Sequence, residues 1–352
     1  MANIRDVREL VLVLPDLFLP PAAARPAADA ASTAWRFAAP RALRGGWRGL
    51  LARGVGREDL AWVEVASLID AGLRGVADAP SAAADEHRVA AAAPAAAEVW
   101  VATPLHLVAG LKSVHFPAHG LLQLTRDEAA ELAREFGEIF GGDGLELIPA
   151  GTAGFVLRGL ATGGAATQEP ARLVGGTLEE ALPDGPGGAA LRALGSELEL
   201  WLHALPLNAR RLARGAAPIS TLWLWGGGAV PRDALAGGLA TTAARWQCLL
   251  GEDAWLQALG CLAGVATAPL PLDWDAADLA EACCAVVPLA DRDPQALERE
   301  LILPLVRRMN DGRLNTLIIA ANDRWISLRA ADRWKIWRPK RTVLEAILES
   351  PA

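Results

Sequence analysis

The sequence predicts an α/β protein with a mainly parallel sheet covered by helices on both faces. Three observations predict it. Short unbroken apolar runs read as strands buried on both sides, amphipathic stretches of helical period lie between them, and 52% of the 352 residues are hydrophobic, enough to fill a large core.

The first run, Leu10 to Leu14, follows Arg5 and Arg8 in the manner of a secretory leader. Asp6 and Glu9 sit in what would be the cationic segment, however, and Pro15 and Asp16 interrupt a run too short to span a bilayer, so it reads as a buried strand. Two Ala/Pro-rich stretches, Pro20 to Ala34 and Ala79 to Ala97, read as connections, the second as a domain boundary. Beyond it, strands are predicted at Val99 to Ala102 and Leu121 to Leu124. A helix then begins where Thr125 and Glu128 have capping-box spacing, carries Ala129, Leu132, Phe136, Ile139 and Phe140 on one face, and stops at Gly141-Gly142. Strands at Leu145 to Ile148 and Phe155 to Leu157 complete a small α+β unit.

Gly163 to Gly188 reads as irregular connection. The next helix stacks Leu191, Leu194, Leu198, Leu202 and Leu205 on one stripe and is ended by Pro206. Thr221 to Trp225 (TLWLW) reads as a buried strand opening into a glycine loop, Gly226 to Gly228, with Trp223 and Trp225 on one face. Further strands are predicted at Ala285 to Val287 and Leu314 to Ala320. Asp293 and Pro294 start the helix between them, and Pro304 should kink it or end it early.

Charge and cysteine content narrow the function. A net charge of −7 gives no overall attraction to nucleic acid or anionic lipid. Cys248, Cys261, Cys283 and Cys284 lack CxxC spacing and read as reduced thiols, which places the protein in the cytoplasm. Neither GxGxxG nor GxxxxGK[ST] occurs, so nucleotide binding by those routes has no support.

The most distinctive stretch runs from His203 through Pro206, Asn208, Arg211, Gly215 and Pro218 into Leu222-Trp223-Leu224-Trp225-Gly226-Gly227-Gly228. It resembles the bacterial regulatory protein RpfE family, as do Trp100 and Thr103-Pro104-Leu105-His106-Leu107 upstream, over roughly residues 98 to 231. Thr103 stands where that family usually has Asp, and Ala204-Leu205 replaces the common His before Pro206. The family is distantly similar to archaeal-type cofactor-independent phosphoglycerate mutases. That resemblance implies an alkaline-phosphatase-like fold with a core from 1-97 and 189-352 and an inserted α+β domain at 98-188. It implies two metal ions with Asp16 among their ligands, a serine nucleophile, and a superfamily element from Ala39 to Gly54.

The residues needed for that chemistry are missing. Two-metal phosphoryl transfer takes several His and Asp ligands from the later strands, yet the five histidines are His87, His106, His115, His119 and His203, with none after. After Leu314 to Ala320 the chain reads Ala321-Asn322-Asp323-Arg324, and arginine repels a cation. No catalytic residue, metal or cofactor is therefore expected, and the reading is a degenerate mutase-like protein that binds a protein partner or small anionic metabolite, with no membrane and no nucleic-acid role. The alternatives are a residual phosphotransferase using Asp16, Ser67 and Asp323, and a structural protein with Trp-rich interfaces.

The candidate ligand residues are Asp16, His106, His203, Asn208, Arg211, Trp223, Trp225 and Gly226 to Gly228. The site is expected at the carboxyl end of Thr221 to Trp225, with Arg211 as anion partner to uncovered glycine amides. Each also has a plain structural reading: a turn cap, half-buried imidazoles, a salt-bridged arginine, core indoles, a tight turn. Finally, Arg324, Arg329, Arg333, Lys335, Arg338, Lys340 and Arg341 face only Asp332, interleaved with Trp325, Trp334 and Trp337. Alternation at Trp325 to Arg329 and Arg333 to Trp337 predicts a hairpin at a sheet edge, the alternatives being contact with a partner protein, an anionic ligand or nucleic acid.

Overall fold

A computed structural model describes residues 9–15, 35–77, 98–117, 119–229, 244–275, 277, 279, 282–287, 297–321 and 323–348. Asp16, the helix start at Asp293-Pro294 and both Ala/Pro stretches lie outside them. In chain order the elements are β1 (Glu9–Val13), β2 (Arg41–Ala42), α1 (Gly46–Gly54), α2 (Val65–Ala77), β3 (Glu98–Leu105), β4 (Val108–Ala109) and β5 (Val114–His115). There follow α3 (Arg126–Phe140), β6 (Glu146–Pro149), β7 (Phe155–Leu160), α4 (Gly188–Ala204), α5 (Pro206–Ala213), β8 (Thr221–Ala229), β9 (Cys248–Leu250) and α6 (Ala254–Ala263). The last are β10 (Ala266–Ala268), β11 (Ala282–Val286), α7 (Leu303–Asn310), β12 (Thr316–Ala321), β13 (Arg324–Arg329) and α8 (Val343–Leu348). The chain forms two compact units, one of residues 1–62, 238–252 and 263–352, the other of 63–237 and 253–262.

Unit one holds a seven-stranded sheet of order β10-β9-β11-β1-β12-β13-β2. The first five strands are mutually parallel, β13 pairs antiparallel with β12, and β2 pairs antiparallel with β13. Strand β1 lies between β11 and β12 and is buried on both faces. Leu10, Leu12 and Leu14 join Leu301, Leu305 and Met309 in the core cluster, while Val11 and Val13, also buried, point the other way. That is why the run carries no polar alternation. Helices α7 and α8 cover the leucine face, and α1 packs on β12.

Pro304 neither ends nor breaks its helix. The turn before it widens into π geometry over Glu298–Ile302, which absorbs the missing N–H, and the helix continues to Asn310. The basic C-terminal stretch departs from the hairpin reading. Trp325 to Arg329 does form a strand, but its partners are β12 and β2, and Ala330–Trp334 is a 3-10 turn with no second strand at Arg333 to Trp337. The buried Asp332 carboxylate stops the strand by capping the Arg329 N–H.

Unit two holds an antiparallel sheet of order β6-β7-β3-β8. On one face Trp100, Ala102, Leu222 and Leu224 pack with Leu132, Phe136 and Phe140 of α3 and with Leu191, Leu194, Leu198 and Leu202 of α4. The opposite face packs on α2. The Thr125 capping box forms, each partner accepting the other's backbone N–H at 3.2 and 2.9 Å.

Some expectations change. Ile139 lies on the exposed side of α3, and Gly141–Asp143 continues it as a 3-10 turn. Leu121 to Leu124 makes a single bridge to Leu105 rather than a strand, with Leu122 and Leu124 packed on the core. Pro206 follows the end of α4 but opens α5 at its first turn, where a missing N–H is harmless. Most consequentially, TLWLW joins the antiparallel sheet beside β3, not the parallel one.

Candidate functional site

The motif residues converge on the loop between α5 and β8. Asn208 and Arg211, one turn apart on the buried face of α5, both turn toward it. Asn208 accepts the Ile219 N–H at 2.7 Å and donates its amide to the carbonyls of Ile219 at 2.9 Å and Leu202 at 2.8 Å. Arg211 Nε donates to the Ala217 carbonyl at 2.8 Å. His106, half-buried at the end of β3, places Nδ1 3.1 Å from the Pro218 carbonyl. A carbonyl only accepts, so a hydrogen bond here needs the proton on Nδ1. Three consecutive carbonyls, those of residues 217 to 219, are thus held by side chains from α5 and β3. His203 does not take part and is exposed, contrary to the half-buried reading.

Arg211 is also committed elsewhere. Its guanidinium meets the Glu128 carboxylate at 2.6 Å, both side chains buried, and Arg214 pairs with the same oxygen from outside. Burial alone would raise the Glu128 carboxyl, but the Thr125 N–H and the two guanidiniums outweigh it and hold it below its ordinary value. The capping residue of α3 is therefore also the anchor of α5.

The three glycines form no loop. They continue β8, and pairing with β3 slips between Val99↔Gly228 and Val101↔Trp225, a bulge opposite Trp100. Gly226 has φ 58°, and a Cβ on Gly227 would lie 2.4 Å from both the Trp100 ring and the Val99 carbonyl. The Gly226 N–H donates to Thr167 Oγ1 at 3.3 Å, so that amide is not open to an anion. Trp223 and Trp225 share a face, as the alternation predicts. Their indole N–H groups donate to the Gln168 carbonyl at 2.9 Å and Thr103 Oγ1 at 2.8 Å, and Thr103 passes its own proton to Ala153. Thr103 is thus a link between β3 and β8.

Sequence reasoning missed Glu98. Buried at the start of β3, it accepts from Trp100 Nε1, the N–H and hydroxyl of Thr162, and the Gly164 N–H. Burial raises its carboxyl, but these donors together carry it below the ordinary value. A carboxylate lowered on folding adds stability that is complete above its unfolded value, near 4.5, and is lost as pH falls through the lower folded one. Glu98→Gln is expected to cost about 1.5 to 3 kcal/mol at neutral pH, because the amide sets donors against donors. In urea melts the deficit should hold constant from pH 6 down to about 4.5 and shrink as the pH is lowered further.

The phosphotransferase alternative finds little to work with in either unit. Ser67, inside α2, is fully buried, and its Oγ has no hydrogen-bond partner among the described residues. Asp323, on the β12–β13 turn, pairs with Arg324 at 3.2 Å. Asp253, beyond β9, caps α6 through the Leu256 N–H. A two-metal centre needs imidazoles and unpaired carboxylates at strand ends, and Asp323 and Asp253 are already engaged, while no histidine follows position 203. Among the described residues, which leave out Asp16, no group of side chains fits such a centre.

The basic stretch forms an organised turn. Asp332 pairs with Lys335 at 2.5 Å and Arg338 at 3.4 Å, and Arg36 donates to the carbonyls of Ile336 and Arg338. Trp35 and Arg341 exchange backbone hydrogen bonds at 2.7 and 2.8 Å. Above this base stand Trp334, Ile336 and Trp337, exposed by 71%, 77% and 74%. None of the described helices is long and apolar enough to cross a membrane.

Fold and site together describe a mixed α/β protein with a mainly parallel sheet in one unit and an antiparallel sheet in the other. Neither a family model nor a curated protein matches the chain. Among solved structures, the cofactor-independent phosphoglycerate mutase from Thermoplasma acidophilum is similar over 97% of this chain and 95% of its own, at 13% identity and a TM-score of 0.38. A Pyrococcus horikoshii protein is similar over 92% and 87%, at 11% identity and a TM-score of 0.40.

Proposed function

We propose that this chain is a cytoplasmic binding protein of the phosphoglycerate-mutase-like group, close in kind to the RpfE regulatory proteins, that has lost phosphotransfer. The observation that carries the reading is the histidine census: none of the five lies beyond position 203, where the later strands of the parallel sheet would supply ligands. Arg324 reinforces it, a fixed cation beside Asp323 where the resemblance calls for a metal-binding pair. The motif from His203 to Gly228 supports the kinship, and its side chains secure the fold of unit two.

Protein dialysed against manganese or zinc and then against buffer should retain well under one equivalent of metal, and interconversion of 3- and 2-phosphoglycerate should be undetectable. Two equivalents retained, with loss of both in Asp16→Ala, would falsify the proposal.

A further inference from the structure

We propose that the turn Trp334–Trp337 seats this protein on the surface of an anionic lipid bilayer. Trp334, Ile336 and Trp337 put three large, mostly exposed apolar side chains within four residues, and no other exposed trio falls so close together among the described residues. Water disfavours such a cluster, yet Asp332 and Arg36 hold the turn's backbone in place, so the exposure is built in.

Charge selects the occupant. From Arg329 to Arg341 six cations face one carboxylate, so this stretch offers an anionic surface a local attraction that a chain of net charge −7 lacks as a whole. Indoles favour the headgroup boundary, an isoleucine enters the acyl edge, and lysine and arginine remain with the lipid phosphates. A reader of nucleic-acid bases is a poorer match. Single-stranded nucleic acid would engage the same arginines and both indoles, but the exposed Ile336 between them has nothing on a base to stack on or hydrogen-bond to, whereas an acyl edge accepts it. A protein interface of ordinary size covers about 800 Å² on each partner, more than a four-residue projection supplies, whereas a bilayer yields around a small tip. The inference goes beyond the binding role above and does not rest on it.

The test is co-sedimentation of the full chain with vesicles of phosphatidylglycerol and phosphatidylcholine, against phosphatidylcholine alone. Binding is expected only to the anionic vesicles, falling about tenfold as salt rises from 50 to 500 mM. Trp337→Ala and Ile336→Ser, checked for an unchanged melting temperature, should each weaken binding several-fold, and Lys340→Glu should do the same. Equal binding to neutral vesicles, or binding indifferent to all three substitutions, overturns the proposal. So does tip-dependent retention on a single-stranded oligonucleotide or on polyglutamate without retention on vesicles.

Discussion

Gly227→Ala is expected to destabilise unit two by about 3 kcal/mol, at the upper end of what forced overpacking costs. The added methyl would sit 2.4 Å from the Trp100 ring and from the Val99 carbonyl. Trp100 is fully buried and hydrogen-bonded to Glu98, so it has nowhere to go without undoing that anchor as well. Gly228→Ala is the control. Its nearest neighbour would be Glu64 Cγ at 3.7 Å, an ordinary contact, and its cost should stay within about 1 kcal/mol. Urea melts of both variants decide. Equal losses would mean that Trp100 yields and that the bulge is not held by packing.

Arg211→Ala should cost about 3 kcal/mol, the lower end of what losing one partner of a buried ion pair costs, since it leaves the Glu128 carboxylate only the half-exposed Arg214 and frees the Ala217 carbonyl. Arg214→Ala, removing a half-exposed partner of the same carboxylate, should cost under about 1 kcal/mol. Adding Glu128→Gln to Arg211→Ala should recover part of the larger loss, because no buried charge then depends on the half-exposed Arg214 alone. If Arg211→Ala instead melts like wild type and loses a phosphate or carboxylate ligand found by screening, the arginine is an anion clamp. The Glu128 share of stability is complete above pH 4.5 and disappears in acid, because its carboxyl is lowered on folding.

What the sequence disclosed followed the range of the interaction involved. Capping by Thr125 and Glu128, the leucine stripe of α4 and the shared face of Trp223 and Trp225 are local geometry, and all three are as the spacing requires. The membership of TLWLW was not legible. A strand covered on both faces reads the same in a parallel core as in an antiparallel sheet between α2 and α4, and only its pairing with β3 separates the two. The glycine run read as a loop because the reason for Gly227 is Trp100, more than a hundred residues away. Asn208, Arg211 and His106 suggested ligand contacts since a backbone carbonyl and a ligand oxygen ask for the same donors. Glu98 gave no signal at all, because three of its four donors belong to a turn more than sixty residues away.

The placement of β1 has a consequence for how this protein is made. Val11 pairs with Cys284 on one side and Ile318 on the other. A ribosome adding roughly 5 to 20 residues per second leaves the nascent Leu-Val-Leu-Val segment without either neighbour for some 15 to 60 seconds. Throughout that interval a five-residue apolar strand with two open edges is available to any other emerging chain. Synthesis in the cell should therefore depend on a holdase far more than the finished protein's stability would suggest, and truncation before β12 should yield inclusion bodies instead of a smaller soluble product.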